Sequence, residues 1–154
     1  MNLTMKNGVH NHAAAKIGIS STGKQMHYSA GAIIKQEGKY LLIDRAVMPY
    51  GFACPAGHVD EGEDPEQSLK REVEEETCLK IVSYRLVNEE EVQGNRCSKD
   101  IPIHYWYVFE CTAEGTPKRN LRETKSIGWY TKKDIKKLKL EPVWEYWFKK
   151  LKII

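Results

Sequence analysis

Three glutamates at helical spacing are the residues of this sequence best suited to chemistry. Glu72, Glu75 and Glu76 stand at positions i, i+3 and i+4, so on a helix their carboxylates project from one face. Like charges at this spacing repel one another, and a solvated helix more often intersperses lysines there. A hard divalent cation such as Mg²⁺ would explain the arrangement. Spacing alone favours a metal site and a solvent-facing acidic helix about equally.

The acidic residues of the chain are concentrated around these glutamates. Residues 60–76 hold nine of the 21 acidic residues and two basic ones, a net charge of −7, whereas the remaining residues carry +10. A basic body around an acidic segment suits an anionic ligand that approaches a metal-loaded site.

The helix that must carry the glutamates has clear start signals. Asp64 is a good N-cap, and the proline after it suits the first helical position. Leu69, Val73 and Thr77 repeat every four residues and form a narrow apolar stripe. These features predict a helix over 65–77.

Apolar runs on both sides of this helix predict a sheet. Two runs around a Glu-Gly-Lys turn predict a β-hairpin over 29–44, and two glycines and a proline predict a loop over 51–57. The other predicted elements are strands at 79–90, 102–112 and 126–130 and helices at 131–139 and 142–151. This order predicts an α/β fold, a mixed sheet with helices packed on its faces.

Length and composition fit one folded domain. The 154 residues are 41% apolar, enough for a hydrophobic core. We expect residues 1–24 to form a loosely held arm with a strand near 16–20, and residues 25–154 to form the domain. His10 and His12 in the arm are expected to bind nothing. No apolar run approaches the length of a membrane span.

The four cysteines, at positions 54, 78, 97 and 111, have wide and irregular spacings without a C-x-x-C pair. This pattern argues against a zinc site or a disulfide framework and is typical of a reducing compartment. We therefore expect a cytoplasmic protein.

The segment around the glutamates resembles the Nudix box, whose pattern is G-x5-E-x7-R-E-U-x-E-E-x-G-U with U a large aliphatic residue. Eight of its nine specified positions match. They are Gly57, Glu63, Arg71, Glu72, Val73, Glu75, Glu76 and Leu79. The resemblance implies a MutT-like Nudix hydrolase, an α/β/α sandwich with a mixed β-sheet and a loop-helix-loop box.

Three positions of the box are expected to affect structure more than chemistry. Cys78 stands where the family has glycine, just past the helix end, where left-handed residues are common. We expect either a strained left-handed Cys78, at a cost of roughly 1–2 kcal/mol, or a helix end shifted by one residue. Glu63 and Arg71 are expected to form a structural ion pair that braces the loop against the helix.

The family's chemistry implies Mg²⁺-dependent hydrolysis, or hydrolysis with Mn²⁺, of a diphosphate bond in a nucleoside diphosphate linked to another moiety. The implied metal ligands are Glu72, Glu75, Glu76 and the backbone carbonyl of Gly57. Glu72 is the first candidate to orient or deprotonate the attacking water, and Glu75 belongs to the same catalytic set.

Candidates outside the box are less specific. Glu123 lies before the last strand, where related enzymes often supply another ligand or base; a surface glutamate is an equal alternative. Arg45, at the end of the hairpin, is a candidate for a substrate phosphate, with a surface salt bridge as its equal rival. Phe52 and Trp129 are candidates for base binding, although core packing is the commoner role. His58 occupies a variable motif position and is expected to carry no chemistry.

The main alternative is a non-catalytic Nudix-fold domain that binds a nucleotide or RNA. The intact glutamate set argues against it, because non-catalytic members commonly lose these carboxylates. RNA binding would need aromatic residues among the basic ones, and the lysine-rich segment 132–139 has none. The expected partner is a small-molecule nucleotide diphosphate rather than a membrane or a nucleic acid. The family also includes many homodimers, and the identity of the nucleotide stays open.

Overall fold

The structure, a computed structural model, describes residues 13–97 and 100–154. In that part of the chain, five strands precede the box helix, and three strands and two helices follow it. The strands are β1 (Ile17–Ile19), β2 (Gln25–Gln36), β3 (Lys39–Arg45), β4 (Gly51–Ala53), β5 (Ala56–His58), β6 (Lys80–Val92), β7 (His104–Glu114) and β8 (Thr124–Thr131). The helices are α1 (Pro65–Thr77), α2 (Lys132–Ile135) and α3 (Pro142–Lys150).

The sheet is built around β2. This strand pairs antiparallel with β1, β3 and β5 and parallel with β7, so the sheet is mixed, as predicted. β2 and β3 are paired only beside their turn, and β3 then has β4 and β8 as its neighbours. The strands therefore form two groups joined at the β2–β3 turn, and residues of both groups line the cavity described below.

Two apolar clusters hold the helices on the sheet. In one, Trp144, Trp147 and Phe148 of α3 pack with residues of β3 and β7, so this aromatic set belongs to the core. In the other, Leu69 and Val73 of α1 pack with residues of β2, β3 and β7. Full burial of a large apolar side chain contributes about 1.5–3 kcal/mol. These contacts fix α1, and with it the box glutamates, against the sheet.

The hairpin, the three later strands and the helices predicted over 65–77 and 142–151 are confirmed. The loop predicted over 51–57 is wrong in part, because β4 and β5 occupy most of it. β5 pairs with β2, so that Gly57 lies opposite Ala30. This long-range pairing overrides the local signal of the glycines and the proline.

The helix predicted over 131–139 is too long, since α2 ends after four residues. Beyond it, the backbone pairs with β4. The Phe52 amide donates to the Lys139 carbonyl at 2.9 Å, and the Glu141 amide donates to the Phe52 carbonyl at 2.9 Å. A helix through residue 139 would place these groups elsewhere, so tertiary pairing decides where it ends.

Residues 13–24, predicted to be loosely held, pack along the domain. The strand expected near 16–20 is present as β1, which pairs with β2. The Lys16 amide donates to the Val59 carbonyl, and the Glu61 amide donates to the Ala14 carbonyl, both at 2.8 Å. His10 and His12 lie outside the described residues. None of the helices in the described part of the chain is long and apolar enough to cross a membrane.

Candidate active site

Both ends of α1 are defined by hydrogen bonds. At its start, the Asp64 side chain accepts from the Gln67 amide at 2.7 Å, and the Gln67 side chain accepts from the Asp64 amide at 3.0 Å. At its end, Cys78 adopts the left-handed conformation with φ 63° and ψ 8°, and its amide donates to the Glu74 carbonyl. The strained left-handed alternative predicted for Cys78 is therefore confirmed.

Arg71 connects the loop before α1 to the glutamates on it. Its guanidinium donates two hydrogen bonds to the Glu63 carboxylate, at 2.7 and 2.9 Å, and one to the His58 carbonyl at 3.0 Å. The expected structural ion pair is thus confirmed. The same guanidinium also donates to Glu72 at 2.8 Å and to Glu75 at 3.3 Å. One side chain therefore contacts three box carboxylates, two of them on α1.

The Glu72 carboxylate lies directly over the backbone of β5. A Cβ atom on Gly57 would overlap that carboxylate, so only glycine permits this approach. On the next turn of the helix, the Glu76 carboxylate accepts a hydrogen bond from the Ala56 amide at 3.2 Å. The main chain of β5 and two box glutamates thus converge.

Burial and crowding change the acidity of these glutamates. Burial raises the pKa of Glu72 to about 8; the charge of Arg71 opposes the shift, and the charges of Glu75 and Glu123 add to it. Burial, followed by the charge of Glu72, raises the pKa of Glu76 well above its usual range. Buried, crowded carboxylates of this kind fit a divalent cation, which would favour their ionised forms.

A cavity of about 390 Å³ opens beside the glutamates. Six of the residues predicted from the sequence line it: Arg45, Gly57, Glu72, Glu75, Glu76 and Glu123. Two others are not among the residues that line it. Phe52 packs edge-on against Tyr130, with ring centroids 5.7 Å apart, and Trp129 packs, partly buried, on the α1 cluster. The geometry does not bring Phe52 or Trp129 to the cavity.

Arg45 enters the cavity beside a buried acid that sequence reasoning missed. Its Nε donates to the Pro49 carbonyl at 2.7 Å and lies 3.9 Å from the Glu141 carboxylate. Burial raises the pKa of Glu141 to about 7, against the opposing charge of Arg45. Glu141 reaches this position because its backbone pairs with Phe52, a long-range contact that no local pattern reveals.

An aromatic surface forms part of the cavity wall. Trp106 of β7 and Trp144 of α3 both line the cavity, and their ring centroids are 5.8 Å apart with an interplanar angle of 81°. The Trp106 indole donates to the Asn95 side chain at 2.9 Å. The cavity therefore combines carboxylates with small exposed parts of two largely buried indole rings.

Histidines form a further part of the wall. His58, expected to carry no chemistry, lines the cavity together with His104, and their rings are stacked with centroids 5.5 Å apart. Burial lowers the pKa of His104 to about 4, and the nearby His27 adds to this shift, while the backbone of Asn95 opposes it. His27 and His104 carry no motif signal, because only the strand pairing brings them together.

Comparison with known proteins agrees with this fold and site. Residues 25–151 match the family profile of the NUDIX domain. The chain is 34% identical over 95 residues to an 8-oxo-dGTP diphosphatase of Haemophilus influenzae, covering 59% of this chain and 68% of that protein. It is 28% identical over 119 residues to the nucleoside triphosphatase NudI of an Enterobacter species, covering 70% and 84%.

The fold is similar to that of the NUDIX domain of Shewanella oneidensis NrtR, solved as a complex with ADP ribose. The TM-score is 0.70 at 15% identity, over 84% of this chain and 88% of that one. A mixed sheet that carries a glutamate-rich box helix beside a cavity is the architecture of a Nudix domain. The chain belongs to the Nudix family, as a MutT-like Nudix hydrolase.

Proposed function

We propose that the protein is a pyrophosphohydrolase that breaks a diphosphate bond in a nucleotide. The observation that carries this proposal is the position of four glutamates around one cavity, three from α1 and one from the segment before β8. They are Glu72, Glu75, Glu76 and Glu123. Family membership supports the proposal, because Nudix hydrolases generally use a divalent metal ion.

Mg²⁺ is the cation that this donor set suits best, with Mn²⁺ as the alternative. Hard cations prefer carboxylate and carbonyl oxygens. Glu72, Glu75, Glu76 and the Gly57 carbonyl are the residues that would hold it. The absence of a side chain on Gly57 leaves room for the Glu72 carboxylate. When bound, such a cation neutralises diphosphate charge and lowers the pKa of bound water.

Glu123 is the residue that we assign to proton removal from the attacking water. Glu72, the first candidate from the resemblance, and Glu75 both accept hydrogen bonds from Arg71, which suits them to a fixed ligand role. The Glu123 carboxylate makes no hydrogen bond or ion pair with any residue that the structure describes. It lines the cavity, and its charge acts on Glu72. It is therefore placed to accept a proton.

Nucleoside triphosphates, including those with an oxidised purine, are the substrate class that we propose. Two relatives carry the names nucleoside triphosphatase and 8-oxo-dGTP diphosphatase. In the cavity, Arg45 offers a cation for a phosphate, and Trp106, which is 5% exposed, offers a small aromatic surface for a base. ADP ribose, bound by the NrtR domain, is the second candidate ligand. Phe52 and Trp129 have no part in this assignment.

A reducing, cytoplasmic environment suits this function. All four cysteines are free thiols. Burial raises the pKa of the Cys54 thiol well above its usual range and that of Cys111 to about 12, so both stay protonated and unreactive at neutral pH. Soluble nucleotides are available in the same compartment.

A substrate panel tests the proposed function. Purified protein is incubated with the common nucleoside triphosphates, 8-oxo-dGTP and ADP ribose, with Mg²⁺, with Mn²⁺ or with EDTA. Phosphate is measured with and without added inorganic pyrophosphatase. For ADP ribose, alkaline phosphatase is added instead, because cleavage of its diphosphate bond releases two phosphate monoesters rather than free phosphate or pyrophosphate. We expect metal-dependent turnover of at least one triphosphate and none in EDTA. Binding of a nucleotide without turnover under any metal condition would contradict the enzyme proposal and support a binding domain.

A further inference from the structure

A second set of metal-binding side chains lies beside the carboxylates. His27, His58, His104 and Cys97 each offer one ligand atom, and these four atoms lie within 4.8 Å of one another. Three of the residues, His58, His104 and Cys97, also line the cavity. Their donors are nitrogen and sulfur atoms, whereas those of the box are oxygens.

Strand pairing brings the three imidazoles together. His27 and His104 are directly opposite each other in the parallel ladder of β2 and β7, and His58 ends β5, opposite Ser29 of β2. The His27 ring lies 4.8 Å from that of His58 and 5.9 Å from that of His104. Because these positions are fixed by backbone hydrogen bonds, the histidine cluster is a property of the sheet.

Cys97 completes the cluster from outside the sheet. It lies in the connection between β6 and β7, is partly exposed, and places its Sγ atom 3.9 Å from Nδ1 of His27. In a tetrahedral zinc site with Zn–N of about 2.0–2.1 Å and Zn–S of about 2.3 Å, ligand atoms are roughly 3.3–3.6 Å apart. Each ligand atom here needs to move inward by less than about 1 Å to reach that geometry.

His104 supplies an independent sign that a ligand belongs here. Only 2% of the residue is exposed. The backbone of Asn95 lies close enough to act on the ring, yet neither ring nitrogen has a partner within hydrogen-bond geometry among the described residues. A buried polar group left in this way destabilises the folded state, because it has lost its hydrogen bonds to water. A metal ion bound to one nitrogen would remove part of that destabilisation.

We propose that His27, His58, His104 and Cys97 form a site for a borderline transition-metal ion of the Zn²⁺ class, distinct from the carboxylate site. Imidazole and thiolate donors select such ions over Mg²⁺. Binding ties the connection between β6 and β7 to three strands and so fixes the part of the cavity wall that Asn95 and Arg96 provide. The cysteine spacing does not reveal this site, because its ligands come from four separate segments and three of them are histidines.

Cobalt substitution tests the site without any use of hydrolysis. Reduced protein, freed of metal by a chelator, is titrated with Co²⁺ while its absorption spectrum is recorded. We expect one equivalent to produce the intense visible bands of tetrahedral Co²⁺ and a near-ultraviolet thiolate charge-transfer band. Zn²⁺ should abolish both signals, and excess Mg²⁺ should leave them unchanged. A weak octahedral spectrum, or a signal that Mg²⁺ removes, would overturn the proposal.

Cysteine variants locate the thiolate. Cys97→Ser should lose the charge-transfer band and weaken Co²⁺ binding. Loss of a residue that only hydrogen-bonds to a metal ligand weakens binding roughly 10–100-fold, and loss of the ligand itself should weaken it at least as much. The matched control is Cys78→Ser, at the exposed thiol beyond α1. It should retain the band and the affinity. A band that survives Cys97→Ser but disappears in Cys78→Ser would contradict the assignment. Because Cys97 is partly exposed, its loss can be read without unfolding the core.

Discussion

Glu72 lies so close to Gly57 that a Cβ atom on residue 57 would overlap its carboxylate. Gly57 belongs to β5, is paired with β2 and is not in the left-handed region. The box glycine is therefore needed for close approach of a side chain and not for a turn. This contact joins the start of the box to its helix and sets the position of a glutamate that we propose binds the metal.

Substitution Gly57→Ala should displace the Glu72 carboxylate. We expect the overlap to lower the free energy of unfolding by about 1–3 kcal/mol and to weaken Mg²⁺ binding. Thermal unfolding and Mg²⁺ titration measure the two effects. Gly128→Ala is the matched control, because its Cβ would meet the Tyr130 ring at an ordinary 3.4 Å. Equal behaviour of the two variants would show that the close approach is unimportant.

Substitution Arg71→Lys should cost stability although the charge is kept. A lysine cannot donate the two parallel hydrogen bonds that Glu63 accepts, and we expect a loss of roughly 1–3 kcal/mol. The control is Arg85→Lys, whose ion pair with Glu110 is exposed and 3.5 Å long. That change should cost less than about 0.5 kcal/mol. Chemical denaturation compares them, and a cost for Arg85→Lys as large as that for Arg71→Lys would contradict the bracing role.

The stability of the metal-free protein should fall as the pH rises through about 8, the pKa of Glu72. A carboxyl whose pKa is raised on folding binds a proton more tightly in the folded state. Its contribution to the free energy of unfolding is complete below the ordinary pKa of about 4.3. That contribution is lost as the pH rises to the pKa of the folded state. Glu141, with a pKa raised to about 7, also makes the folded state less stable as the pH rises. His104, with a pKa lowered to about 4, changes the stability only in more acidic solutions.

The measurement is the melting temperature between about pH 6.5 and about pH 8.5, in EDTA and in Mg²⁺. In EDTA it should fall with pH, and the increment gained from Mg²⁺ should grow, because the cation binds the ionised carboxylates. In Glu72→Gln, both trends should be smaller. An Mg²⁺ increment that is constant over this range, or that decreases, would contradict the metal assignment.

Substitution Glu123→Gln should separate proton removal from metal binding. We expect kcat to fall by about 10²–10⁴-fold, the usual contribution of a general base, while the Mg²⁺ concentration for half-maximal rate stays close to that of the wild type. Glu76→Gln should instead raise the Mg²⁺ requirement. If Glu123→Gln retains full kcat, the base is another residue.

Local signals predicted much of the fold and the centre of the site. The N-cap and the four-residue repeat of Leu69, Val73 and Thr77 placed α1 at its observed bounds, and the left-handed conformation of Cys78 is one of the two alternatives that its position predicted. The features that local sequence signals did not predict depend on long-range backbone pairing. β5 forms because it pairs with β2. Glu141 reaches the cavity because its backbone pairs with β4.

Substitution Glu75→Gln tests most directly whether the glutamates of α1 hold the metal ion for nucleotide hydrolysis. The initial rate on the best substrate of the panel is compared between wild type and variant over a range of Mg²⁺, together with both melting temperatures. We predict a rate lower by orders of magnitude and a melting temperature close to or above that of the wild type, because the change removes one of several crowded charges. Undiminished Mg²⁺-dependent hydrolysis by a folded Glu75→Gln protein would contradict that role of the glutamates.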